Sequence, residues 1–223
     1  MLSNSLFSFT KGVRRPDASH ISFLLLFICL TFSCQNSFCL KKPTIPNWIL
    51  EARNKWTYRG QKRPPFAIEP KAGQVSVWDF PRPPSVTLVD AVVRVFFEDT
   101  LLAKTDGCLA VKETANPPTY YIPPHDVDFD QLVEIDTTSW CEWKGKAGYW
   151  ALKQSPKSPI AWDYPNPFDE YEQLTKYLAF YPHRLRCFIG DEQITPQDST
   201  IYAGWITKDL VGPFKGQPGS ENW

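Results

Sequence analysis

The sequence predicts a compact β-rich domain with one or two short helices. Proline supplies 21 of the 223 residues, close to twice its usual share of about 5%, and each proline disrupts a helix interior because it lacks an N–H group. The chain also holds 9 tryptophans, 9 tyrosines and 15 phenylalanines, enough for extensive aromatic packing. From residue 75 onward, runs of β-branched and aromatic residues stand between turn residues, which is typical of strands.

The charge of the chain is balanced, with 24 lysines and arginines against 24 aspartates and glutamates. This balance removes the simplest electrostatic argument for a nucleic-acid or anionic-membrane partner. Hydrophobic residues make up 43% and charged residues 22%, as in a globular protein rather than a disordered one. We therefore expect no nucleic acid as partner, and a membrane contact only through the N-terminal segment.

Residues 1–40 have the pattern of a targeting segment. Three basic residues and one acid within 1–20 precede an apolar run of about a dozen residues at 21–32, which is shorter than the roughly 20 that span a membrane. This is the secretory-signal pattern, with a cut near Leu40 or before Cys34. An uncleaved membrane anchor and a bipartite leader to a plastid are the alternatives, so extracellular, plastid and membrane-anchored destinations stay open.

Three cysteines, Cys108, Cys141 and Cys187, follow this segment. An odd number leaves at least one thiol free or paired with another chain, and the spacing does not say which. No C-x-x-C pair occurs in the sequence, so neither a structural zinc site nor a thioredoxin-like motif is indicated. We predict no metal ligands and no cofactor.

Residues 41–73 are predicted to form a helix and a proline-rich arm. Asn47 is a suitable helix cap and Gly60 a suitable helix end. Between them, three apolar residues recur at helical spacing: Ile49, Ala52 and Trp56. The stretch 61–73, QKRPPFAIEPKAG, is predicted to be extended because of its prolines.

Residues 74–223 are predicted to be a single β-rich domain. One hairpin is expected over 93–105, with its turn at Glu98–Thr100, and another over 185–195. Their shared strand–turn–strand plan fits either a duplicated element or the ordinary form of hairpins. Further strands are predicted at 75–77, 86–88, 108–114, 120–122, 140–143, 147–152 and 161–164. The spacing of apolar residues in Asp169–Leu178 predicts a second helix, capped by Asp169.

Six strings in the chain are too specific to follow from composition. They are VWDFPRPP (77–84), KETANPPTYYIPPHDV (112–127), TTSWCEWKGKAGYW (137–150), AWDYPNP (161–167), FYPHRLRCF (180–188) and GWITKDLVGPFKGQPG (204–219). Together they resemble the domain of unknown function 427 family, from about Trp48 to Trp223. The string from Trp56 to Ala67 is similar to the long form of that family seen in cyanobacteria and photosynthetic eukaryotes.

The resemblance implies a compact, mostly antiparallel β-tent, similar to zinc-binding tent folds but without their paired cysteines. It implies no established activity, although the family carries a nucleotidyltransferase label. The chain departs from the family at Ala203, because a glycine usually precedes the Gly204-Trp205 pair. If that glycine has a positive φ angle, Ala203 is strained or the turn is altered.

Nucleotidyl transfer needs carboxylates that bind Mg²⁺ beside a small glycine-rich turn. Asp126, Asp128 and Asp130 alternate along the chain, which on a strand places them on one side. The residues before them are Pro123-Pro124-His125 instead of a Gly-Ser turn, and no glycine-rich phosphate-binding motif occurs. The sequence therefore favours a solvated acidic loop over a metal site.

Cys141 and Lys144 are the sharpest local candidates for catalysis. A nearby cation favours the reactive thiolate form of a cysteine. On a strand the odd spacing points 141 and 144 to opposite faces, whereas a turn at Gly145 brings them together. The alternative is a small buried cysteine in an aromatic core.

Arg82 lies between two prolines that stiffen it for holding a carboxylate or phosphate. The alternative is a structural ion pair with Glu113. That carboxylate is itself a candidate general base beside Tyr120 and Tyr121, or else a hydrogen-bonded core anchor.

The C-terminal segment from Gly204 to Gly216 combines glycines, the cation of Lys215 and the aromatic residues Trp205 and Phe214. It suits a ligand lid or a phosphate contact. The alternative is a strap that packs its aromatic residues onto the sheet.

The leading prediction is a pocket for a small polar or anionic ligand. Its expected binding residues are Arg82, Tyr121, Trp205 and Lys215. The alternative is an enzyme for group transfer, including nucleotidyl transfer, whose expected catalytic residues are Cys141, Lys144 and Glu113. A structural scaffold is the third hypothesis. The sequence predicts neither the identity of the ligand nor the oligomeric state.

Overall fold

The computed structural model describes residues 45–199, 201–216, 218–220 and 223. The predicted targeting segment, 1–40, lies outside these residues. No helix among the described residues is long and apolar enough to cross a membrane. The described residues form a compact, mostly β domain, which confirms the predicted fold class.

The N-terminal helix α1 (Asn47–Asn54) buries Ile49 completely. The predicted cap is wrong, because Pro46 occupies the cap position and its carbonyl accepts the Ile49 N–H at 3.0 Å. The predicted end at Gly60 is also wrong, since the helix stops at Asn54. Trp56 therefore leaves the helical stripe, and its indole N–H donates to the Glu142 carboxylate instead.

Short strands follow one another from residue 75 to residue 211. In the described residues they are β1 (Val75–Ser76), β2 (Ser85–Leu88), β3 (Val93–Phe97), β4 (Thr100–Thr105), β5 (Leu109–Lys112), β6 (Thr119–Ile122), β7 (Leu132–Cys141), β8 (Gly145–Leu152), β9 (Ser155–Asp163), β10 (Leu178–Phe180), β11 (Arg186–Ile189), β12 (Glu192–Gln193), β13 (Thr195–Pro196), β14 (Trp205–Ile206) and β15 (Leu210–Val211). Short 3₁₀ helices at Val77–Asp79, Pro124–Asp126 and Asp169–Leu174 lie between some of them.

Within the described part of the chain, seven strands form an antiparallel sheet in the order β2-β5-β6-β10-β9-β8-β7. A four-stranded antiparallel sheet has the order β12-β11-β3-β4. It contains both predicted hairpins, which are confirmed, and it joins them by pairing β3 with β11. A parallel pair, β1–β15, ties the C-terminal segment to the start of the domain, and β13 pairs with β14.

Alternation along β6 separates two buried regions. Tyr120 packs against Trp205, with ring centroids 5.0 Å apart, in the core between the two larger sheets. Tyr121 belongs to the opposite face of the seven-stranded sheet, where its ring lies 6.3 Å from that of Tyr164. The alternation therefore decides which aromatic residue enters the core and which meets the cavity described below.

The predicted second helix is wrong. The helix expected over Asp169–Leu178 is a 3₁₀ helix that ends at Leu174, because Leu178 and Ala179 pair with β6 as part of β10. The Asp126–Asp130 run forms a loop, as the sequence favours, in which the Asp128 carboxylate accepts the Asp130 N–H at 3.0 Å. Aspartate favours turns through this kind of bond to the backbone two residues on.

Candidate ligand pocket

A cavity of about 420 Å³ opens on the Tyr121 face of the seven-stranded sheet. Its walls come from strands β5 to β9, from residues 197–215 and from Trp56 after the N-terminal helix. Pockets for small organic ligands typically measure about 300–1,000 Å³. The cavity therefore has the size of a small-molecule site.

Eight aromatic side chains line the cavity. Among the described residues they are Trp56, Tyr121, Trp140, Tyr149, Trp162, Tyr164, Tyr181 and Tyr202. The ring of Trp162 lies 4.7 Å from that of Tyr181 and 6.4 Å from that of Tyr121. Such rings offer flat apolar surfaces with polar tips, which suits stacking against a planar ligand.

Arg82 is a buried cation beside the cavity, and its guanidinium is bound by acceptors of the protein itself. Its guanidinium donates to the Glu113 carboxylate, the Tyr58 carbonyl and the Thr114 carbonyl, each at 2.9 Å. The Arg82 side chain is completely buried, and Glu113 accepts a further bond from the Trp143 indole at 3.2 Å. The structural ion pair with Glu113 is thus present, and Arg82 is not among the residues that line the cavity.

Trp56 forms a wall that two cations hold. The guanidinium of Arg82 lies 4.2 Å from the ring centroid and the ammonium of Lys215 lies 3.9 Å from it. The Trp56 indole N–H also donates to Glu142 Oε1 at 3.1 Å. Cation–π contacts and a hydrogen bond together restrict the ring to one orientation.

Cys141 and Lys144 reach the same cavity across the tight connection between β7 and β8. Cys141 ends β7 and pairs with Gly145 at the start of β8. Gly145 has a φ angle of +101°, which favours glycine. The turn that the sequence analysis required for their convergence therefore exists.

Glu142, between them, has both carboxylate oxygens engaged. Its Oε1 accepts from Trp56, and its Oε2 lies 3.8 Å from Cys141 Sγ, which donates a weak hydrogen bond. The Glu142 carbonyl accepts from Arg53 Nε at 2.6 Å. The two cavity-lining carboxylates, Glu113 and Glu142, are therefore each held by donors of the protein.

Lys144 is only 8% exposed, yet it lines the cavity. Among the described residues no carboxylate forms an ion pair with it, and its ammonium lies 5.6 Å from the Tyr164 ring centroid. Burial by itself lowers the pKa of Lys144, but Cys141, Tyr121 and Glu113 raise it, and the net direction is upward. Lys144 is therefore a cation at neutral pH.

The phenols near Lys144 are protonated at neutral pH. Burial raises the pKa of Tyr121 and of Tyr164, and the charge of Lys144 lowers that of Tyr121 only in part. A protonated phenol donates a hydrogen bond as well as accepting one. The lining of the cavity therefore combines the ammonium of Lys144 with the hydroxyl groups of Tyr121 and Tyr164. This set of donors suits an anion.

Gln197 fixes the wall of the cavity that the C-terminal segment forms. Its amide donates to the Lys215 carbonyl at 2.6 Å, and its Oε1 accepts the Gly204 N–H at 2.9 Å. A methyl group on Gly204 would lie 2.5 Å from this Oε1 and 2.7 Å from the Pro117 carbonyl, so the close approach requires glycine. Ala203 has no positive φ angle, so the strain considered for it is absent.

The structure places five of the predicted site residues around one cavity: Glu113, Tyr121, Cys141, Lys144 and Lys215. Arg82 does not line the cavity, but it contacts Glu113 and Trp56, which do. Trp205 does not reach the cavity, because it is fully buried in the core and its indole donates to the Phe180 carbonyl. Its neighbour Gly204 lines the cavity instead, since successive residues of an extended segment face opposite ways.

Several cavity residues were missed by sequence reasoning, notably Glu142, Gln197 and Trp162. Glu142 had a signal, since it lies inside the same string as Cys141 and Lys144. Gln197 had none, because its role depends on contacts with residues far along the chain. The Asp126–Asp130 run is not among the cavity-lining residues, and neither are His125 and His183. No group of potential metal ligands is found among the described residues.

A comparison with protein families gives one match on the chain. Residues 85–190 match the family model described as Domain of unknown function (DUF427), which is called NTP_transf_9. These residues are therefore similar to the DUF427 family. A comparison with curated proteins gives no match.

The segment that matches DUF427, residues 85–190, supplies Lys144 and most of the aromatic residues that line the cavity, including Tyr121 and Trp162. Trp56, Gln197 and Lys215 lie outside the matched residues and complete the site. The cavity is thus built jointly by the DUF427 segment and by the flanking parts of the chain.

Proposed function

We propose that the protein binds a small anionic ligand that carries a flat ring, in the cavity lined by Lys144. The observation that carries this proposal is the ammonium of Lys144, which is nine-tenths buried, lines the cavity and has no ion-pairing carboxylate among the described residues. A buried charge is costly unless it is paired. A carboxylate or phosphate of a ligand supplies that partner.

The arrangement of the carboxylates supports an anion rather than a cation. Glu113 is paired with Arg82, and Glu142 accepts from Trp56 and Cys141. Lys215 also lines the cavity, and its ammonium donates to the Trp223 carbonyl oxygen at 3.0 Å and lies over the Trp56 ring. The phenols of Tyr121 and Tyr164 are protonated at neutral pH and add donors near Lys144.

The aromatic walls support a planar ligand. The rings of Trp162 and Tyr181 lie on one side, tilted by 50° with centroids 4.7 Å apart, and Trp56 is held in place on another side. Aromatic pairs prefer offset or edge-to-face geometry and add about 0.5–1.5 kcal/mol beyond buried area. An aromatic carboxylate of modest size combines both requirements of the site.

Thermal unfolding of the full-length chain against a ligand panel tests the proposal. The panel contains benzoate, 4-hydroxybenzoate, nucleoside monophosphates with and without Mg²⁺, benzamide, neutral sugars and a quaternary amine. A ligand at 100 times its Kd stabilises a protein by about 2.7 kcal/mol, or roughly 5–11 °C for a domain of this size. We expect such shifts for aromatic anions and none for benzamide.

Lys144→Met should abolish the shift, and Lys144→Arg should keep part of it. Lys146→Met is the matched control, because Lys146 lies two residues on and is exposed. A shift that survives in Lys144→Met, or one produced by the quaternary amine alone, contradicts the proposal. A shift that requires both a nucleotide and Mg²⁺ supports nucleotidyl transfer instead, and a uniform lack of response supports a scaffold.

A further inference from the structure

We propose that Cys141 is a thiol–disulfide exchange site, which forms a mixed disulfide with a small-molecule disulfide that carries anionic groups. This modification goes beyond ligand binding and does not require the anionic ligand proposed above. It rests on two independent features of the cavity: the accessible sulfur of Cys141 and the buried cation of Lys144.

Cys141 differs from the other two described cysteines in its surroundings. It is half-buried and lines the cavity, whereas Cys108 and Cys187 are fully buried in the core between the sheets. Burial raises the pKa of Cys108 to about 12 and raises that of Cys187 further. Both core cysteines therefore remain thiols at neutral pH, and the thiolate is the form that exchanges.

Lys144 supplies the charge that an exchanging sulfur needs. Cys141 is the foremost of the groups that raise the pKa of Lys144, so the ammonium and the ionised sulfur attract each other. The ammonium has no ion-pairing carboxylate among the described residues to compete for it. Glu142 works in the opposite direction, because its carboxylate lies 3.8 Å from the sulfur.

The cavity selects the reaction partner by size and charge. Cys108 and Cys187 do not line it, so neither is placed to form a disulfide with Cys141. About 420 Å³ of space admits a small disulfide but not a folded protein. The ammonium of Lys144 favours a partner with carboxylates.

The exchange step balances without any other reactant. The Cys141 sulfur loses its proton and attacks one sulfur of R–S–S–R, so that a Cys141–S–S–R bond forms as the S–S bond of the small molecule breaks. The leaving R–S⁻ takes up the proton and departs as R–SH. A lone pair of the Cys141 sulfur forms the new bond, and the leaving sulfur keeps the electron pair of the broken one. Cys141 is thereby oxidised by one oxidation number as the leaving sulfur is reduced by one.

Incubation of the full-length chain with oxidised glutathione tests the proposal, with peptide mass mapping to assign each adduct. We expect an adduct at Cys141 in the native protein, and adducts at Cys108 and Cys187 only after denaturation in guanidinium. Lys144→Met should slow the reaction at Cys141 by about tenfold, because the positive charge next to the attacking sulfur is removed. Lys146→Met should leave the rate unchanged.

Glu142→Gln provides a second variant that tests the same electrostatics with the opposite sign. Removing the carboxylate charge should accelerate the adduct at Cys141 while the amide keeps a similar shape. The proposal is overturned if native Cys141 reacts no faster than the core cysteines, or if neither charge substitution changes its rate. Adduct formation is measured without any added ligand. A negative result therefore does not bear on the ligand proposal, which the thermal-unfolding panel tests separately.

Discussion

Arg82 and Lys144 are both buried cations on the same side of the domain, but the protein uses them in opposite ways. Arg82 has a carboxylate and two carbonyls as acceptors, all from the protein. Lys144 has no ion pair among the described residues and lines the cavity. A cation paired with a carboxylate of the protein holds structure together, whereas one without such a pair beside open space is available to a ligand.

The cysteines repeat this contrast between packed core and cavity. Cys108 and Cys187 fill the space between the sheets, where burial keeps them protonated. Cys141 lies beside Lys144 at the edge of the cavity. Residue type alone therefore does not predict chemistry in this domain, because the same side chain is inert in one region and accessible in the other.

The largest effect is expected for Arg82→Met. Removing one partner of a buried ion pair costs about 3–5 kcal/mol, because the other charge is left unpaired. Here Glu113 and the carbonyls of Tyr58 and Thr114 would all lose a donor. Urea unfolding measures the change, with Arg63→Met as a control at a half-exposed arginine that should change the midpoint far less.

A smaller effect is expected for Gly204→Ala, at the cavity wall that Gln197 fixes. The added methyl group would overlap Gln197 Oε1 and the Pro117 carbonyl, and overpacking of this kind costs about 1–3 kcal/mol. Ala203→Gly is the matched control and should cost about 1 kcal/mol or less, because Ala203 has an ordinary backbone conformation. Equal midpoints for the two variants in urea would show that the wall is not tightly packed.

The core cysteines predict a loss of stability at alkaline pH. Burial raises the pKa of Cys108 to about 12 in the folded protein, whereas an unfolded cysteine ionises near about 8.5. The unfolded chain therefore releases this proton first, and the free energy of unfolding falls as pH rises from about 8.5 toward 12. Urea midpoints across this range should fall less steeply in Cys108→Ala than in the wild-type protein.

The smallest effect on stability is expected for Lys144→Met without ligand. This substitution removes a buried charge but leaves no carboxylate unpaired, so we expect a change of about 1 kcal/mol or less. Urea unfolding beside Arg82→Met gives the direct comparison. A loss as large as that of Arg82→Met would mean that Lys144 is a structural cation, and the contrast between the two residues would fail.

Local sequence signals predicted the parts of the fold that depend on neighbours along the chain. The hairpins over 93–105 and 185–195 were correct, because alternation and turn residues act within a few positions. The helix expected over Asp169–Leu178 failed, since pairing of Leu178 with β6 outweighed its apolar spacing. The convergence of Cys141 and Lys144 was foreseen only as one alternative, which depended on the turn at Gly145.

The sequence by itself determined that the domain is mostly β, where its two hairpins turn, and which charged residues accompany its aromatic ones. Only the tertiary structure decided that Arg82 is satisfied by Glu113, that Trp205 enters the core and that Trp56 closes a cavity with Glu142, 86 residues away. These outcomes depend on the order of strands and on the face that each residue occupies. Both are set by long-range pairing, which the local pattern of residues does not encode.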